Sequence, residues 1–104
     1  MTTERAIPAT GTGSYADING LHLYYEVHGT GRPIVLLHGG LMSGEAMAPL
    51  VAPLAEHHQV ILPDLQGHGR TADVDRPIDL RLMADDIAAL IDHLHLDRTD
   101  IVGF

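Results

Sequence analysis

Cysteine, lysine and tryptophan are absent from this chain of 104 residues, and aromatic side chains make up only 4% of it. Without cysteine there are no disulfides and no thiolate for catalysis or metal binding. Without lysine, only six arginines stand against fourteen carboxylates, and the resulting net charge of −8 repels phosphate groups. We therefore expect neither nucleic acid nor an anionic membrane surface as a partner.

Long hydrophobic runs are also missing. No stretch approaches the roughly 20 apolar residues that span a bilayer, and the N-terminal MTTERAIPATGTG lacks the apolar run of a signal peptide. We expect a cytoplasmic protein. Residues 1–13 read as a loose leader, and residues 14–104 read as part of one small domain.

The stretch from Pro33 to Gly44, PIVLLHGGLMSG, organises the chain. Its first five residues are aliphatic without alternation, which is typical of a strand buried on both faces of a parallel sheet. The run ends at Gly39 and Gly40, which we expect to adopt positive φ and to let the backbone approach a ligand. A buried strand, a glycine turn and a helix predict a binding crevice at the strand's carboxyl end.

The remaining pattern predicts an α/β protein with a mostly parallel sheet and an N-terminal antiparallel hairpin. The hairpin has Asn19-Gly20 as its turn, and the clearest helix is capped by Asp79 and keeps Asp85, Asp86 and Asp92 on its polar side. Two prolines, Pro49 and Pro53, predict a kinked or partly irregular first helix. The predicted elements are the hairpin strands Ser14–Ile18 and Leu21–His28, the strand Pro33–Leu37, the helix Glu45–His58, the buried strand Gln59–Pro63, the helix Leu80–Leu94 and a third buried strand, Asp100–Phe104.

The glycine turn does not fit a phosphate site. A P-loop ends in Gly-Lys-Ser/Thr, whereas Ser43-Gly44-Glu45 stands here, and Leu41 occupies the third glycine position of the dinucleotide fingerprint. We therefore expect no cofactor. Two interpretations of His-Gly-Gly stay open on the triplet alone: a backbone N–H site for a developing oxyanion, or a tight turn that serves packing.

Three motifs in order carry a family resemblance: LLHGG after the hairpin, DLQGHGRT after the second strand, and IVGF at the third. Together they resemble the N-terminal half of the α/β-hydrolase family, whose third such strand enters the nucleophile elbow Gly-x-Ser-x-Gly. The resemblance covers residues 14–104. It implies an enzyme whose nucleophile, acid and base lie outside this chain, so that the chain alone would be inactive.

The resemblance also assigns roles to individual positions. Gly40 matches the oxyanion-hole position, and its partner would be the amide after the nucleophile. The other residues implied are His38 and Gly39 as support of the oxyanion loop, Leu41, Asp64, Gly67, Gly69 and Arg70 as pocket rim or loop structure, and Gly103 and Phe104 as the approach to the elbow. For Asp64 and Arg70 we expect that they tie their loop together. The remaining histidines lack the paired spacing of a zinc site, so we expect no metal.

The resemblance favours a serine hydrolase that acts on ester-like small molecules, esterase- or lactonase-like, through an acyl-enzyme. Epoxide hydrolases of this family usually show His-Gly-x-Pro, where this chain has Leu41, and haloalkane dehalogenases commonly have asparagine where it has Gly40. An aspartate-nucleophile epoxide hydrolase or dehalogenase remains one alternative. The other is a truncated, non-catalytic relative or half of a split protein, which would bind the remaining half of the fold through the open edge at Asp100–Phe104.

Overall fold

A five-stranded sheet forms the centre of the computed structural model, which describes residues 12–104. The strand order is β1-β2-β4-β3-β5, with antiparallel pairing of β1 with β2 and of β2 with β4, and parallel pairing of β3 with both β4 and β5. The α/β class, the parallel strands and the antiparallel hairpin are confirmed, although the additional antiparallel pair makes the sheet mixed. The elements are β1 Thr12–Ile18, β2 Leu21–His28, β3 Arg32–Leu37, a 3₁₀ turn Gly44–Met47, α1 Ala48–Ala55, β4 His58–Pro63, α2 Leu80–His93 and β5 Asp100–Gly103.

The hairpin turns where the sequence predicts. Asn19 and Gly20 have φ values of 50° and 86°, as a two-residue turn with positive φ at both positions requires. β1 begins at Thr12, two residues before the predicted start, and the rest of the predicted leader lies outside the described residues. On β2, Tyr24 points to the face opposite Leu23 and Tyr25, and it is nevertheless buried, because Arg70 from a distant loop covers its ring.

Strands β3 and β4 are covered on both faces, which explains their unbroken apolar runs. Alternate residues point to opposite sides of the sheet, and each side meets one helix. The α2 side holds Val35 and Ile61 with Ile87, Leu90 and Leu94, and the α1 side holds Ile34, Leu36, Val60 and Leu62 with Met47 and Val51.

The first helical segment is irregular, as its prolines predict. It starts as a 3₁₀ turn and becomes α1 only at Ala48, with Pro49 in the first turn and Pro53 inside the helix. Asp79 caps α2 as predicted, and its carboxylate accepts the amides of Arg81 at 2.7 Å and Leu82 at 3.3 Å.

The prediction for Asp86 is wrong. Its side chain lies buried, and both of its carboxylate oxygens accept from the Arg76 guanidinium, while Asn19 Nδ2 donates to Oδ1 at 3.2 Å. Arg76 also donates to the buried Gln66 Oε1 at 2.7 Å. The helical period groups Asp86 with the other aspartates of the helix, but its partners come from outside the helix, Arg76 from the loop before it and Asn19 from the distant hairpin turn.

The strand predicted at Asp100–Phe104 is present as β5, and it is exposed rather than buried, as the open edge expected there implies. β5 pairs with β3 on one side, and all of its residues are exposed, including Ile101 and Val102. Nothing within residues 12–104 pairs with its outer edge.

In the same part of the chain, no helix is long and apolar enough to cross a membrane.

Candidate functional site

Two loops meet at the carboxyl ends of β3 and β4, as the parallel pairing of these strands requires. The first loop, residues 38–42, follows β3, and the second, residues 64–71, follows β4. Between them opens a cleft of about 830 Å³. Its lining includes His38, Gly39, Gly40, Leu41, Gly67, His68, Gly69 and Phe104.

His38 supports the first loop from beneath. It is buried, its Nδ1 lies 2.8 Å from the Gly39 carbonyl oxygen, and its Nε2 accepts the Leu65 amide at 3.0 Å. A carbonyl only accepts and an amide N–H only donates, so the ring must carry its proton on Nδ1. Both nitrogens are thus occupied, and His38 has no lone pair with which to act as a base on a substrate.

Gly40 leaves its amide open. Within residues 12–104 that N–H has no hydrogen-bond partner, and the residue is exposed in the cleft. A Cβ added there would meet no atom within 4 Å. The position therefore has the free donor that an oxyanion site needs and room for a ligand beside it.

The expectation that Gly39 and Gly40 adopt positive φ is wrong. In this loop the left-handed residue is Leu41, with φ 62° and a fully exposed side chain. Gly39 is closely packed instead, since an added Cβ would lie 3.2 Å from both Met42 Sδ and the Phe104 carbonyl oxygen. The same contact shows that the end of the described chain reaches the glycine loop.

Asp64 joins the second loop to the start of the helical segment. Its buried carboxylate accepts the Gly44 amide at 2.6 Å through Oδ1 and the Arg70 amide at 2.9 Å through Oδ2. Its carbonyl oxygen accepts the Thr71 hydroxyl at 2.8 Å. Two charge-assisted bonds to backbone amides make Asp64 a structural residue, consistent with its predicted role in tying the loop together.

Glycine is required at Gly67 and Gly69, which have φ values of 74° and 53°. At Gly69 an added Cβ would also lie 2.6 Å from Cγ of Asp64 and 3.0 Å from Cβ of Ser43. The sequence predicts special backbone angles at both positions, and the structure confirms them.

Replacing Gly69 with alanine is expected to lower the free energy of unfolding by about 2–4 kcal/mol, the sum of left-handed strain and a clash with Asp64. Gly67→Ala is the matched control, because there the nearest atom to an added Cβ is 3.6 Å away and only the strain remains. Urea unfolding of both variants measures the difference. If both variants lost the same free energy of unfolding, the contact between the added Cβ and Asp64 would not be destabilising.

The side chain of Arg70 does not tie its own loop together. Its Nη1 donates to the Tyr24 hydroxyl at 2.8 Å, and the guanidinium carbon lies 5.0 Å from the Tyr24 ring centre. Only its backbone amide bonds Asp64. The predicted rim residues Asp64 and Arg70 line a separate cavity of about 580 Å³ beside α1, together with Glu26 and His28.

Glu26 is the centre of the polar cluster in that second cavity. The Tyr24 hydroxyl donates to it at 2.6 Å, and His28 Nε2 lies 2.8 Å from it. Burial alone would raise the pKa of the Glu26 carboxyl, but the bonds from Tyr24 and His28 and the charge of Arg70 together lower it. Burial and the Glu26 carboxylate raise the pKa of Tyr24, against the opposing effect of Arg70.

His68 is the residue of the cleft that sequence reasoning missed. Its Nδ1 lies 2.8 Å from the Gln66 carbonyl oxygen, and its Nε2 accepts the Leu41 amide of the other loop at 3.2 Å. Its ring centre is 5.0 Å from that of His38. The available signal was its place between two glycines in Gly67-His68-Gly69, a loop expected beside the crevice.

Phe104 lies at the edge of the cleft, and Gly103 lies next to it outside the cleft lining. The Phe104 amide donates to the Leu37 carbonyl at 3.1 Å, which extends the β3–β5 pairing by one bond, and its side chain is 83% exposed. Phe104 lines the loop cleft, whereas Gly103 lines an apolar groove between β5 and α2. Within the described part of the chain, no three histidine or acidic side chains converge as a metal site would need.

Comparison with known proteins points to one family. Residues 32–104 match the model of the alpha/beta hydrolase fold. The chain is 38% identical over 92 residues to a soluble epoxide hydrolase of Corynebacterium sp. (strain C12), covering 88% of this chain and 32% of that protein. It is 43% identical over 67 residues to a pimeloyl-acyl-carrier-protein methyl ester esterase of Xanthomonas oryzae, covering 64% of this chain and 26% of that protein.

A solved structure shares the fold over most of the chain. The enol-lactonase of Burkholderia xenovorans LB400 is 30% identical and superposes with a TM-score of 0.82, covering 86% of this chain and 36% of that one. The chain thus spans about a quarter to a third of the length of these three proteins.

Proposed function

Because the chain belongs to the alpha/beta hydrolase fold family, we propose that it supplies the oxyanion-hole side of a serine hydrolase for carboxylic-ester-type substrates. The observation that carries the proposal is the free amide of Gly40, exposed in the cleft at the carboxyl end of β3. Backbone donors aimed at a developing negative charge are among the largest contributions to catalysis.

The proposed reaction has two steps. A serine hydroxyl attacks the acyl carbon and loses its proton to a histidine, and the Gly40 amide stabilises the oxyanion of the tetrahedral intermediate. The alcohol leaves with that proton, and water then releases the acid from the acyl-enzyme. The serine, the acid and the histidine lie outside residues 1–104 in this proposal, in the part of the fold that the relatives have in addition.

The end of the described chain supports this placement. The carbonyl oxygen of Phe104 lies beside Gly39, one residue from the free amide. A nucleophile that follows Phe104 would therefore stand next to Gly40. Its own neighbouring amide would complete the oxyanion hole, as the family elbow Gly-x-Ser-x-Gly implies.

Leu41 favours serine over an aspartate nucleophile. The epoxide hydrolase motif His-Gly-x-Pro has proline at this place, whereas here φ is 62° and the amide donates to His68. Proline keeps φ near −65° and has no N–H. At this position it could therefore neither adopt the positive φ nor donate a hydrogen bond to His68. The loop of this chain is thus built differently from one with that motif.

An epoxide hydrolase is the second candidate, because the Corynebacterium relative carries that name at 38% identity. That reaction would use an aspartate as nucleophile and form an alkyl-enzyme ester. The free amide of Gly40 could serve its hydrolytic step as well, so within this loop the preference for serine rests on Leu41 and not on Gly40.

The test is hydrolysis of p-nitrophenyl acetate and of styrene oxide by the complete protein, with and without a fluorophosphonate. We expect ester turnover and its loss on labelling of a single serine, located by mass spectrometry. Turnover of the epoxide that resists the phosphonate would establish the second candidate instead. A protein that binds the phosphonate nowhere and turns over neither compound would contradict both, and would favour a non-catalytic relative.

A further inference from the structure

The two cleft loops are held together by a pair of histidines in a reciprocal pattern. Each ring is bonded to a carbonyl of its own loop through Nδ1 and to an amide of the opposite loop through Nε2. We propose that His68 is a positioning residue for the oxyanion loop, acting through Leu41. The inference rests on the proposed function, which gives the orientation of this loop its chemical meaning.

The proton positions follow from the partners. The Gln66 carbonyl can only accept, so Nδ1 of His68 must carry the proton, and the Leu41 amide can only donate, so Nε2 must be bare. The same reasoning gives His38 the same tautomer. In both rings, therefore, Nδ1 donates to a carbonyl oxygen and Nε2 accepts from a backbone amide.

The two histidines hold the two peptide planes on either side of Gly40. The Gly40 N–H belongs to the planar Gly39–Gly40 peptide, whose carbonyl accepts from His38 Nδ1 and from the Met42 amide at 3.2 Å. The next peptide, Gly40–Leu41, is held through the bond from the Leu41 amide to His68. Within residues 12–104 that is the one hydrogen bond made by this second peptide.

The second peptide makes no other hydrogen bond in the described chain, and it lies inside the turn that the Met42 amide closes onto the Gly39 carbonyl. The Leu41 side chain is fully exposed, and its left-handed backbone costs about 1–2 kcal/mol in a residue other than glycine. Without His68 this residue is free to relax toward an ordinary conformation. A rotation there would loosen the turn bond from the Met42 amide to the Gly39 carbonyl, and with it the peptide that carries the Gly40 N–H.

The second loop that carries His68 is itself held firmly. Gln66 is fully buried. Its side-chain Nε2 donates to Asp73 Oδ1 at 2.8 Å, and its Oε1 accepts from Arg76. Arg76 in turn pairs with the buried Asp86 of α2. The first loop is thus tied, through His68, to a network that reaches the core.

Two substitutions separate the roles of the ring nitrogens. His68→Asn keeps a donor near Nδ1 for the Gln66 carbonyl but offers Leu41 no acceptor, whereas His68→Gln places an oxygen near Nε2. We expect His68→Asn to lower kcat for ester hydrolysis about 10- to 100-fold, the range for a displaced catalytic group, with little change in KM. His68→Gln should recover most of that loss. A kcat for His68→Asn equal to that of the unsubstituted protein would overturn the proposal.

Two NMR measurements test the hydrogen bond between the Leu41 amide and His68 without any substrate. The ¹⁵N shifts of the unsubstituted protein should show the proton of His68 on Nδ1 at neutral pH, and a proton on Nε2 would overturn the proposal. Hydrogen exchange at the Leu41 amide should be faster in His68→Asn and close to normal in His68→Gln, and equal rates in all three would also overturn it. If the protein hydrolyses no ester, the proposed function fails, and these two measurements still decide whether His68 holds the loop.

Discussion

Replacing Gly40 with proline is expected to lower kcat for ester hydrolysis by about 10²- to 10³-fold, the usual cost of losing one oxyanion donor. The substitution removes an amide that has no hydrogen-bond partner among the described residues, at a residue that lines the cleft. KM should change much less, because a neutral ester oxygen gains less from the donor than an oxyanion does. Steady-state kinetics of the complete protein measure both quantities.

Gly40→Ala is the matched control. It keeps the N–H, its Cβ meets no atom within 4 Å, and Gly40 does not have positive φ, so alanine adds neither a clash nor strain. We expect its kcat to stay within a few-fold of the unsubstituted value, and circular dichroism should show that both variants fold. If proline and alanine at this position reduced kcat equally, the amide of Gly40 would not be the donor.

Replacing Asp86 with alanine should cost about 3–5 kcal/mol of the free energy of unfolding, which is typical of breaking a buried ion pair from one side. The Arg76 guanidinium, 16% exposed, would lose both carboxylate oxygens, and Asn19 would lose its acceptor. The second loop should loosen with it, because Arg76 also holds Gln66. Urea or thermal unfolding of the variant measures the loss.

Asp85→Ala provides the control for Asp86, one position away on α2 and exposed. It removes the same charge from the same helix, so we expect a change below about 0.5 kcal/mol, as for most surface substitutions. In the double variant Arg76→Met/Asp86→Leu the loss should be smaller than in Asp86→Ala, since no buried charge is left unpaired. Equal stability of the Asp85 and Asp86 variants would contradict the structural role assigned to the buried pair.

Local features of the fold were predictable from the sequence. The Asn19-Gly20 turn, the Asp79 cap and the irregular start of α1 depend on neighbours within a few residues, so the pattern contains their cause. The apolar runs of β3 and β4 likewise predict burial on both faces, which the helices on each side provide. The cleft at the carboxyl ends of these strands follows from their parallel pairing.

Features that depend on distant partners were not predictable. Asp86 looked like one more exposed aspartate, because nothing near it in sequence shows that Arg76 and Asn19 would surround it. The apolar residues of β5 predict burial, but a strand is covered only when it has neighbours on both sides, and within residues 12–104 β5 pairs with β3 alone, which leaves the expected open edge. The glycines of the first loop suggested left-handed backbone, but close packing of Gly39 and the bond from Leu41 to His68 placed that conformation at Leu41 instead.

The sequence by itself determined the order of strands and helices along the chain, the family resemblance and the loop in which we propose an oxyanion donor. Only the tertiary structure decided which amide of that loop is free and which side chains hold it. The physical reason is separation along the chain, since His38 and Leu65, like Leu41 and His68, are 27 residues apart and meet only when β3 and β4 lie side by side. Among the described residues, the Leu41 amide is taken by His68 in this way, whereas the Gly40 amide is left without a partner.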